Sequence, residues 1–226
     1  MKLRMFVTVL GAVLLASQLG AQDLKSQKEK ISYIIGMDIG KNLKNQSVDI
    51  DQAALAKGIK DALSGGKGSL TDEETRQTMA AFQKEMIAKA QALGEKNKKE
   101  GGVFLGENKK KQGVIALPSG LQYKVITAGK GKKPKPTDTV TVQYRGTLID
   151  GTEFDSSYRR GQPATFPVNG VIPGWTEALG LMQEGAKWQI FVPSNLAYGE
   201  KGAGGQIGPN ATLIFEVELI SIQEKK

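Results

Sequence analysis

Histidine and cysteine, the side chains that carry most nucleophilic and acid–base chemistry near neutral pH, are both missing from this 226-residue sequence. Without them the chain cannot build a histidine general base, a Ser-His-Asp triad, a thiol nucleophile or a Cys/His zinc site. No disulfide can form, so packing and assembly must stabilise the fold. Any chemistry must therefore need little from groups that titrate near neutral pH.

Four segments in the C-terminal half carry the most specific pattern in the sequence. They are VTVQYRGTLIDGTEFDSS (Val140–Ser157), VIPGWTEAL (Val171–Leu179), VPSNLAYG (Val192–Gly199) and IGPNATLIFEVEL (Ile207–Leu219). Their order and spacing resemble the central motifs of the FKBP-type peptidyl-prolyl cis–trans isomerases. The N-terminal segment ISYIIGMDIGKNLKNQ is similar to one in the macrophage-infectivity-potentiator subfamily, where a helical domain precedes a long connecting helix. The resemblance reaches nearly the whole chain after residue 21.

The resemblance implies a substrate pocket in the C-terminal half. Trp175 would form its floor, while the Ile172 backbone N–H and the Tyr198 phenol would donate to carbonyls that flank a substrate proline. Arg160 would pair with the carboxylate of Asp155. The implied catalytic residues are Tyr144, Phe154, Asp155, Ile172, Trp175, Tyr198 and Phe215, and the implied substrate contacts are Arg160, Val171 and Ile207.

Each of these residues has a structural explanation when it is taken alone. An aromatic residue in an alternating strand, such as Tyr144 or Phe215, is usually a core residue. Asp155 could cap the turn that follows Phe154, and Trp175 could be a packed helix residue without a ligand. Only their joint occurrence in the order of the family favours the pocket.

The chemistry that the resemblance implies agrees with the missing residue types. Rotation about a peptide bond faces a barrier of about 18–20 kcal/mol, and X–Pro bonds isomerise uncatalysed in roughly 10–100 s. No covalent bond breaks, so we expect no nucleophile, no metal and no cofactor. The expected partners are unfolded or folding polypeptides that contain proline.

Two positions depart from the family pattern. Ala164 occupies a place where single-domain members carry a wall phenylalanine, and Gln206 replaces an apolar neighbour of Ile207. We therefore expect a more open wall, and a macrolide ligand remains an expectation of the resemblance alone. The glycine-rich loop Glu200–Gln206 is expected to overhang the pocket.

From Gly113 onward the pattern is typical of strands. Val140, Val142 and Tyr144 alternate with polar residues, which is the period of a strand with one buried face. A second alternating set comprises Leu213, Phe215, Val217 and Leu219, and Trp188–Val192 predicts another strand. One short helix fits between Gly174 and Met182. Residues 113–226 thus predict an α+β domain in which an antiparallel sheet wraps over one short helix.

Residues 22–112 predict an all-α domain. Ile31, Ile34, Ile35, Ile39 and Leu43 recur at helical spacing on one face. A second helix begins after the N-cap Asp51 and ends at Gly65-Gly66, and a third begins with a capping box from Thr71 to Glu74. Beyond Leu93 the third helix becomes polar on every face, as in helices that bridge domains through solvent. Continued to about Lys110, this helix would be roughly 60 Å long, and we expect any break at Gly101-Gly102.

The first two helices are too short to enclose a stable core alone, because domains of about 40 residues usually need disulfides, metals or oligomerisation. The sequence therefore predicts a homodimer formed through residues 22–112. Gly36 and Gly40, one helical turn apart, would allow close approach of another backbone, or they are ordinary surface glycines.

The N-terminus has the pattern of a signal peptide over residues 1–21. Lys2 and Arg4 precede the apolar run Met5–Leu15, and Leu19-Gly20-Ala21 offers a small-residue cleavage site. The run is shorter than the roughly 20 residues that span a bilayer, which argues against a retained transmembrane anchor. We expect export, to the periplasm first, with outer-membrane association or secretion as alternatives.

The net charge of +8 does not by itself indicate nucleic-acid binding. The lysines are spread along the chain, with one local concentration between Lys96 and Lys111. Aromatic residues do not alternate with them there, as they would in a single-strand-binding surface. We expect a solvated helix face and no nucleic-acid partner.

Two functions remain open from the sequence. The first is a peptidyl-prolyl isomerase that acts on proteins folding outside the cytoplasm, with added chaperone activity from the dimer. The alternative is a dimeric chaperone or binding module with little isomerase activity. A role in adhesion or virulence would rest on the subfamily association alone.

Overall fold

The computed structural model describes residues 24–46 and 48–223, which form two compact units, one ending at Lys44 and one beginning at Asn45. The signal-peptide prediction lies outside the described residues. In the first unit, helix α1 spans Gln27–Asn45, as the periodicity predicts, and none of its residues is buried. Ile31, Ile34, Ile35 and Ile39 expose between 37% and 57% of their surface.

In the second unit, helices α2 (Gln52–Leu63) and α3 (Asp72–Asn108) begin at their predicted caps. The carboxylate of Asp51 accepts hydrogen bonds from the N–H groups of Ala53 and Ala54, at 2.8 and 2.9 Å. At the start of α3, Thr71 and Glu74 exchange the reciprocal hydrogen bonds of a capping box. Local side-chain chemistry therefore fixes both helix starts.

The predicted break at Gly101-Gly102 is wrong, because α3 continues without interruption to Asn108. Its C-terminal part is also not surrounded by solvent, since Gly94, Gly101 and Asn108 are buried. These residues recur every seven positions and so share one face of the helix, which packs on the sheet domain. At Gly94 and Gly101, close contacts with that domain offset the cost of about 1 kcal/mol that a helical glycine carries relative to alanine.

The sheet contains seven antiparallel strands within the described residues. It runs in the order β1-β2-β6-β7-β3-β4, with β5 paired to β3 beside that path. The strands are β1 (Val114–Ala116), β2 (Gln122–Thr127), β3 (Thr139–Leu148), β4 (Glu153–Ser156), β5 (Ala164–Pro167), β6 (Lys187–Val192) and β7 (Leu213–Gln223). Strands β3 and β7 form the longest pairing, from Thr139–Gln223 to Leu148–Leu213.

The core of the second unit lies between this sheet and the short helix α4 (Pro173–Leu181). The predicted alternation is confirmed: Val140, Val142 and Tyr144 on β3 are 5% exposed or less, and so is every second residue of β7 from Leu213 to Leu219. Trp175, Ala178 and Leu179 of α4 complete the core. The α+β architecture predicted from the sequence is therefore the observed one.

No helix in the described part of the chain is both long and apolar enough to span a bilayer.

Gly101 and Gly102 provide a matched test of the docked helix. A Cβ on Gly101 would overlap the hydroxyl of buried Thr212, whereas a Cβ on Gly102 would meet nothing within 4 Å. Both substitutions to alanine gain helix propensity of about 1 kcal/mol. We expect Gly102→Ala to raise the melting temperature and Gly101→Ala to lower it, measured by circular dichroism. Equal stabilisation by both substitutions would contradict the close packing of α3 on the sheet domain.

Candidate active site

A buried indole forms the centre of an aromatic cluster between α4 and the sheet. Trp175 is 4% exposed, and its ring meets those of Tyr144, Phe166 and Phe215 at interplanar angles of 85–88°. The ring centroids lie 5.2, 6.0 and 5.3 Å apart, which is the edge-to-face geometry that aromatic quadrupoles favour. Phe154 extends the cluster through a perpendicular contact with Phe215 at 5.5 Å. We call these five rings the aromatic box.

A glycine on β3 leaves space for two of these rings. Gly146 pairs in register with Asp155 of β4 and with Phe215 of β7. A Cβ on Gly146 would lie 2.7 Å from the Phe154 ring and 2.8 Å from the Phe215 ring. Any larger residue would displace one of the two rings, so this position shapes one side of the box.

The aromatic box lines a cavity of about 400 Å³ that is open to solvent. This volume lies within the range of small-molecule sites, roughly 300–1,000 Å³. The lining residues come from β3, β4, β5, α4, β7 and two loops, and they are Tyr144, Phe154, Asp155, Phe166, Gly170, Val171, Ile172, Trp175, Tyr198 and Phe215. Side chains that are scattered through the sequence thus share one mostly apolar hollow.

One wall of the cavity carries a charged network of Tyr144, Asp155 and Arg160, which we call the polar triad. The Tyr144 hydroxyl donates to Asp155 Oδ2, and Arg160 Nη1 pairs with Asp155 Oδ1. Arg160 Nη2 also donates to the Tyr144 hydroxyl at 2.7 Å, and its guanidinium lies over the Tyr144 ring. The backbone N–H of Ser156 adds a bond of 2.8 Å to Asp155 Oδ1.

The polar triad sets the protonation states of its members. Burial alone would raise the pKa of the Asp155 carboxyl, but hydrogen bonds from Tyr144 and Arg160, with the charge of Arg160, lower it below its usual value. Burial and the hydrogen bond to Asp155 raise the pKa of the Tyr144 phenol. At neutral pH the site therefore presents an ionised carboxylate that accepts a hydrogen bond from a neutral phenol.

The two hydrogen-bond donors predicted for the substrate, the Ile172 N–H and the Tyr198 phenol, are both unused among the described residues. Ile172 precedes the first turn of α4, and its carbonyl accepts from the N–H groups of Trp175 and Thr176. Within residues 24–46 and 48–223, its own N–H has no acceptor, and the Tyr198 phenol has no partner. Tyr198 is 41% exposed, so its hydroxyl is accessible to a ligand. The cavity therefore combines apolar walls with two donors that are available to a ligand.

The buried indole carries one unpaired polar atom. Trp175 Nε1 has no hydrogen-bond partner among the described residues. A buried donor without a partner costs about 1–3 kcal/mol. This donor lies at the floor of the aromatic box, beside the cavity that Trp175 lines.

The structure brings most of the predicted site residues together. All of them line the cavity except Arg160 and Ile207. Arg160 contacts the cavity through the polar triad, whereas Ile207 is 8% exposed and belongs to the core. The roles assigned to these residues remain predictions.

Sequence reasoning missed two lining residues, Phe166 and Gly170. Phe166 lies two positions after Ala164 on β5, so both side chains are on the same face of that strand. Ala164 does not line the cavity, and Phe166 supplies an aromatic wall beside it. Gln206 lines a different cavity, next to α3. The strand period could have identified Phe166.

No group of acidic side chains in the described part of the chain is a candidate metal site. Within residues 24–46 and 48–223, no three acidic side chains lie close enough together to share an ion.

Comparison with known proteins agrees with both halves of this structure. Residues 130–220 match the family model for FKBP-type peptidyl-prolyl cis-trans isomerase, and residues 28–125 match the model for the domain amino terminal to it. The chain is 50% identical to the outer membrane protein MIP of Legionella longbeachae, over 99% of each chain. It is 46% identical to the peptidyl-prolyl cis-trans isomerase Mip of Coxiella burnetii, over 91% of each.

A solved structure is also similar to this chain over most of its length. The crystal structure of FkpA from Escherichia coli superposes with a TM-score of 0.63 at 39% identity, covering 88% of this chain and 98% of that one. The motifs, the aromatic box and these matches agree. The chain belongs to the FKBP-type peptidyl-prolyl cis–trans isomerases, in the Mip- and FkpA-like branch with a helical domain before the isomerase domain.

Proposed function

We propose that the cavity over Trp175 binds the prolyl ring of a polypeptide and accelerates rotation about its X–Pro bond. One observation carries this proposal: five aromatic rings and two unused donors surround one hollow of about 400 Å³. A prolyl ring is compact and apolar, so the aromatic box suits it, while the carbonyls on either side of the ring need donors at the rim.

The acceleration would come from stabilising the twisted amide more than the planar one. At the twisted geometry the amide loses resonance and much of its charge separation. An apolar cavity disfavours the polar planar state more than the twisted state, and this difference lowers the barrier. Each tenfold gain in rate needs only about 1.4 kcal/mol, which lies within reach of a small pocket without acid–base or covalent chemistry.

The two donors would orient the chain while the bond rotates. The N–H of Ile172, at the rigid start of α4, would anchor one substrate carbonyl. The Tyr198 hydroxyl would bind a carbonyl on the other side of the proline. Fixing both flanks leaves the X–Pro bond as the rotating element, and this is a contribution of positioning.

The polar triad would maintain the wall formed by Tyr144. Because Asp155 and Arg160 both bond the Tyr144 hydroxyl, the phenol ring cannot rotate freely into the cavity. The ionised Asp155 would also present negative charge towards the carbonyl carbon of the rotating amide. This is the role we assign to Asp155 and Arg160.

We infer that residues 22–112 join two copies of the chain into a homodimer, with residues 113–226 as the isomerase domain of each copy. The support is the exposed apolar face of α1, where Ile31, Ile34 and Ile35 are each about half exposed or more. Most of the stability of a helix in a protein comes from packing of its apolar face, and a partner helix would cover that face. Such a dimer would also bind unfolded chains, which is the chaperone activity we propose beside catalysis.

The place of action that we infer is outside the cytoplasm, in the periplasm or at the outer membrane. The sequence of residues 1–21 supports this, and so does similarity to a relative named an outer membrane protein. A macrolide ligand is a further proposal, supported by the same aromatic cavity.

Replacing Tyr198 tests the isomerase mechanism. Tyr198→Phe removes one donor to the substrate and should lower kcat/KM for a short X–Pro peptide roughly two- to tenfold, the equivalent of one hydrogen bond of about 0.5–1.5 kcal/mol. Tyr158→Phe is the matched control, because Tyr158 is similarly exposed, at 46%, but does not line the cavity. Suppression of aggregation should not change in either variant. Equal rates for both variants would refute the role of Tyr198.

The polar triad predicts how the free energy of unfolding depends on pH. A folded-state pKa below the unfolded value of about 3.9 adds stability above that pH, and this stability is lost as the pH falls through the folded pKa. Asp155→Asn should therefore unfold at lower urea concentration than the wild type at neutral pH. The difference should be about 1 kcal/mol or less because the pair is partly exposed, and it should shrink towards pH about 3. A difference that persists unchanged in acid would show that the carboxylate charge is not responsible.

The dimer proposal depends on α1. Ile34→Asp places a charge on the exposed apolar face and should convert the dimer to monomer at micromolar concentration, as measured by sedimentation velocity. Ile126→Asp is the control, since Ile126 on β2 is similarly exposed, at 49% against 57% for Ile34. Ile34→Asp should retain isomerisation of a short peptide and lose aggregation suppression. A wild-type chain that sediments only as a monomer would overturn the proposal.

A further inference from the structure

The docked face of α3 contacts the segment that carries Tyr198. We define residues 198–212, between the short helical turn after β6 and strand β7, as the Tyr198 loop. The side-chain amide of Asn97 on α3 donates to the carbonyl of Pro209 at 2.8 Å. Asn97 and Pro209 are 112 residues apart in sequence, so this bond is purely tertiary.

The helix and the loop approach each other closely at this point. A Cβ on Gly208 would lie 2.9 Å from Leu93 Cδ2 and 3.1 Å from Asn97 Nδ2. A Cβ on Gly94 would lie 3.2 Å from Pro209. The loop therefore packs directly on α3, with the Gly208 backbone against the Leu93 and Asn97 side chains, and small shifts of one must displace the other.

Backbone hydrogen bonds connect the contact point to Tyr198. The N–H of Asn210, the residue after Pro209, donates to the carbonyl of Gly199 at 2.8 Å. Gly199 directly follows Tyr198. Ala203 and Ile207 exchange two further bonds, of 2.8 and 3.0 Å, which close the tip of the loop. The path from Asn97 to Tyr198 thus contains two hydrogen bonds and two steps between neighbouring residues, Pro209 to Asn210 and Gly199 to Tyr198.

A second contact fixes the end of α3 to the sheet and does not involve the Tyr198 loop. Asn108, at the end of the helix, donates to the side chain of Gln122 at 3.0 Å, and Gln122 donates to the carbonyl of Leu105 at 2.9 Å. Gln122 belongs to β2. This pair anchors the helix to the sheet. The Tyr198 loop is instead bonded to α3 by the Asn97 side chain and, at a longer distance, by the Asn210 amide, which donates to the Gly94 carbonyl at 3.5 Å.

We propose that Asn97 is a positioning residue for the isomerase site: its bond to Pro209 sets the place of the Tyr198 phenol at the rim of the cavity. The inference rests on the proposed function only in assigning Tyr198 a part in catalysis. The helical region before the isomerase domain then supports the active site directly, in addition to any role in assembly.

The position of Tyr198 can be measured without activity. In the full chain labelled with 3-fluorotyrosine, the ¹⁹F resonance of Tyr198 is identified by its loss in Tyr198→Phe. Asn97→Ala should shift or broaden this resonance and leave that of Tyr158 unchanged. Asn108→Ala is the matched control, an amide deletion on the same helix face that should not move it. An unmoved Tyr198 resonance in Asn97→Ala, or an equal change in both variants, would overturn the inference.

A double-mutant cycle tests whether Asn97 acts through Tyr198. Asn97→Ala alone should lower kcat/KM by at most the roughly two- to tenfold expected for Tyr198→Phe, because it acts through the same donor. In the Tyr198→Phe background the same substitution should have little further effect. Equal losses in both backgrounds would contradict a path through Tyr198. A wild-type chain without isomerase activity would refute the proposed function, and the ¹⁹F result would still decide whether Asn97 positions Tyr198.

Discussion

The perpendicular packing of aromatic rings around Trp175 is the interaction on which the rest of the structure depends. Edge-to-face contacts fix the indole against Tyr144, Phe166 and Phe215 and leave its face as a floor. Three strands and one helix must arrive at fixed separations to make these contacts, so the box specifies the arrangement of the sheet as well as the cavity. Since such pairs add only about 0.5–1.5 kcal/mol each beyond burial, their main effect is geometric.

Close backbone approach is the second recurring constraint. Gly146 leaves room for two rings of the box, and Gly101 and Gly208 allow α3 to lie directly on the sheet domain and its loop. A helix that looks like a solvent-exposed connector in sequence is thereby packed against the sheet domain. The polar triad adds an ionised carboxylate, hydrogen-bonded to a neutral phenol, to one wall of the cavity. Under the proposed function, catalysis by such a site needs preorganisation and exclusion of water, and no group that changes its protonation state near neutral pH.

Features set by local chemistry could be predicted from the sequence. The caps at Asp51 and Thr71 and the alternation along β3 and β7 depend on neighbours in the chain, and all are observed. Gly101-Gly102 was wrongly predicted to break α3, because the compensating contact with Thr212 is invisible locally. The predicted site residues other than Arg160 and Ile207 line one cavity, as the family resemblance implied. Their meeting at one place depends on tertiary packing, which local sequence patterns do not show. Phe166 was missed because the family pattern pointed to position 164. The strand period places the side chains of Ala164 and Phe166 on the same face of β5.

The most direct test is an NMR experiment on the full chain with a short X–Pro peptide. We predict that substoichiometric protein gives exchange peaks between the cis and trans forms. Intermolecular NOEs should then connect the prolyl ring protons to the indole of Trp175. The other tryptophan, Trp188, stacks on Tyr123 away from the cavity and is an internal control. Absence of exchange peaks, or prolyl NOEs to Trp188 in place of Trp175, would contradict the account.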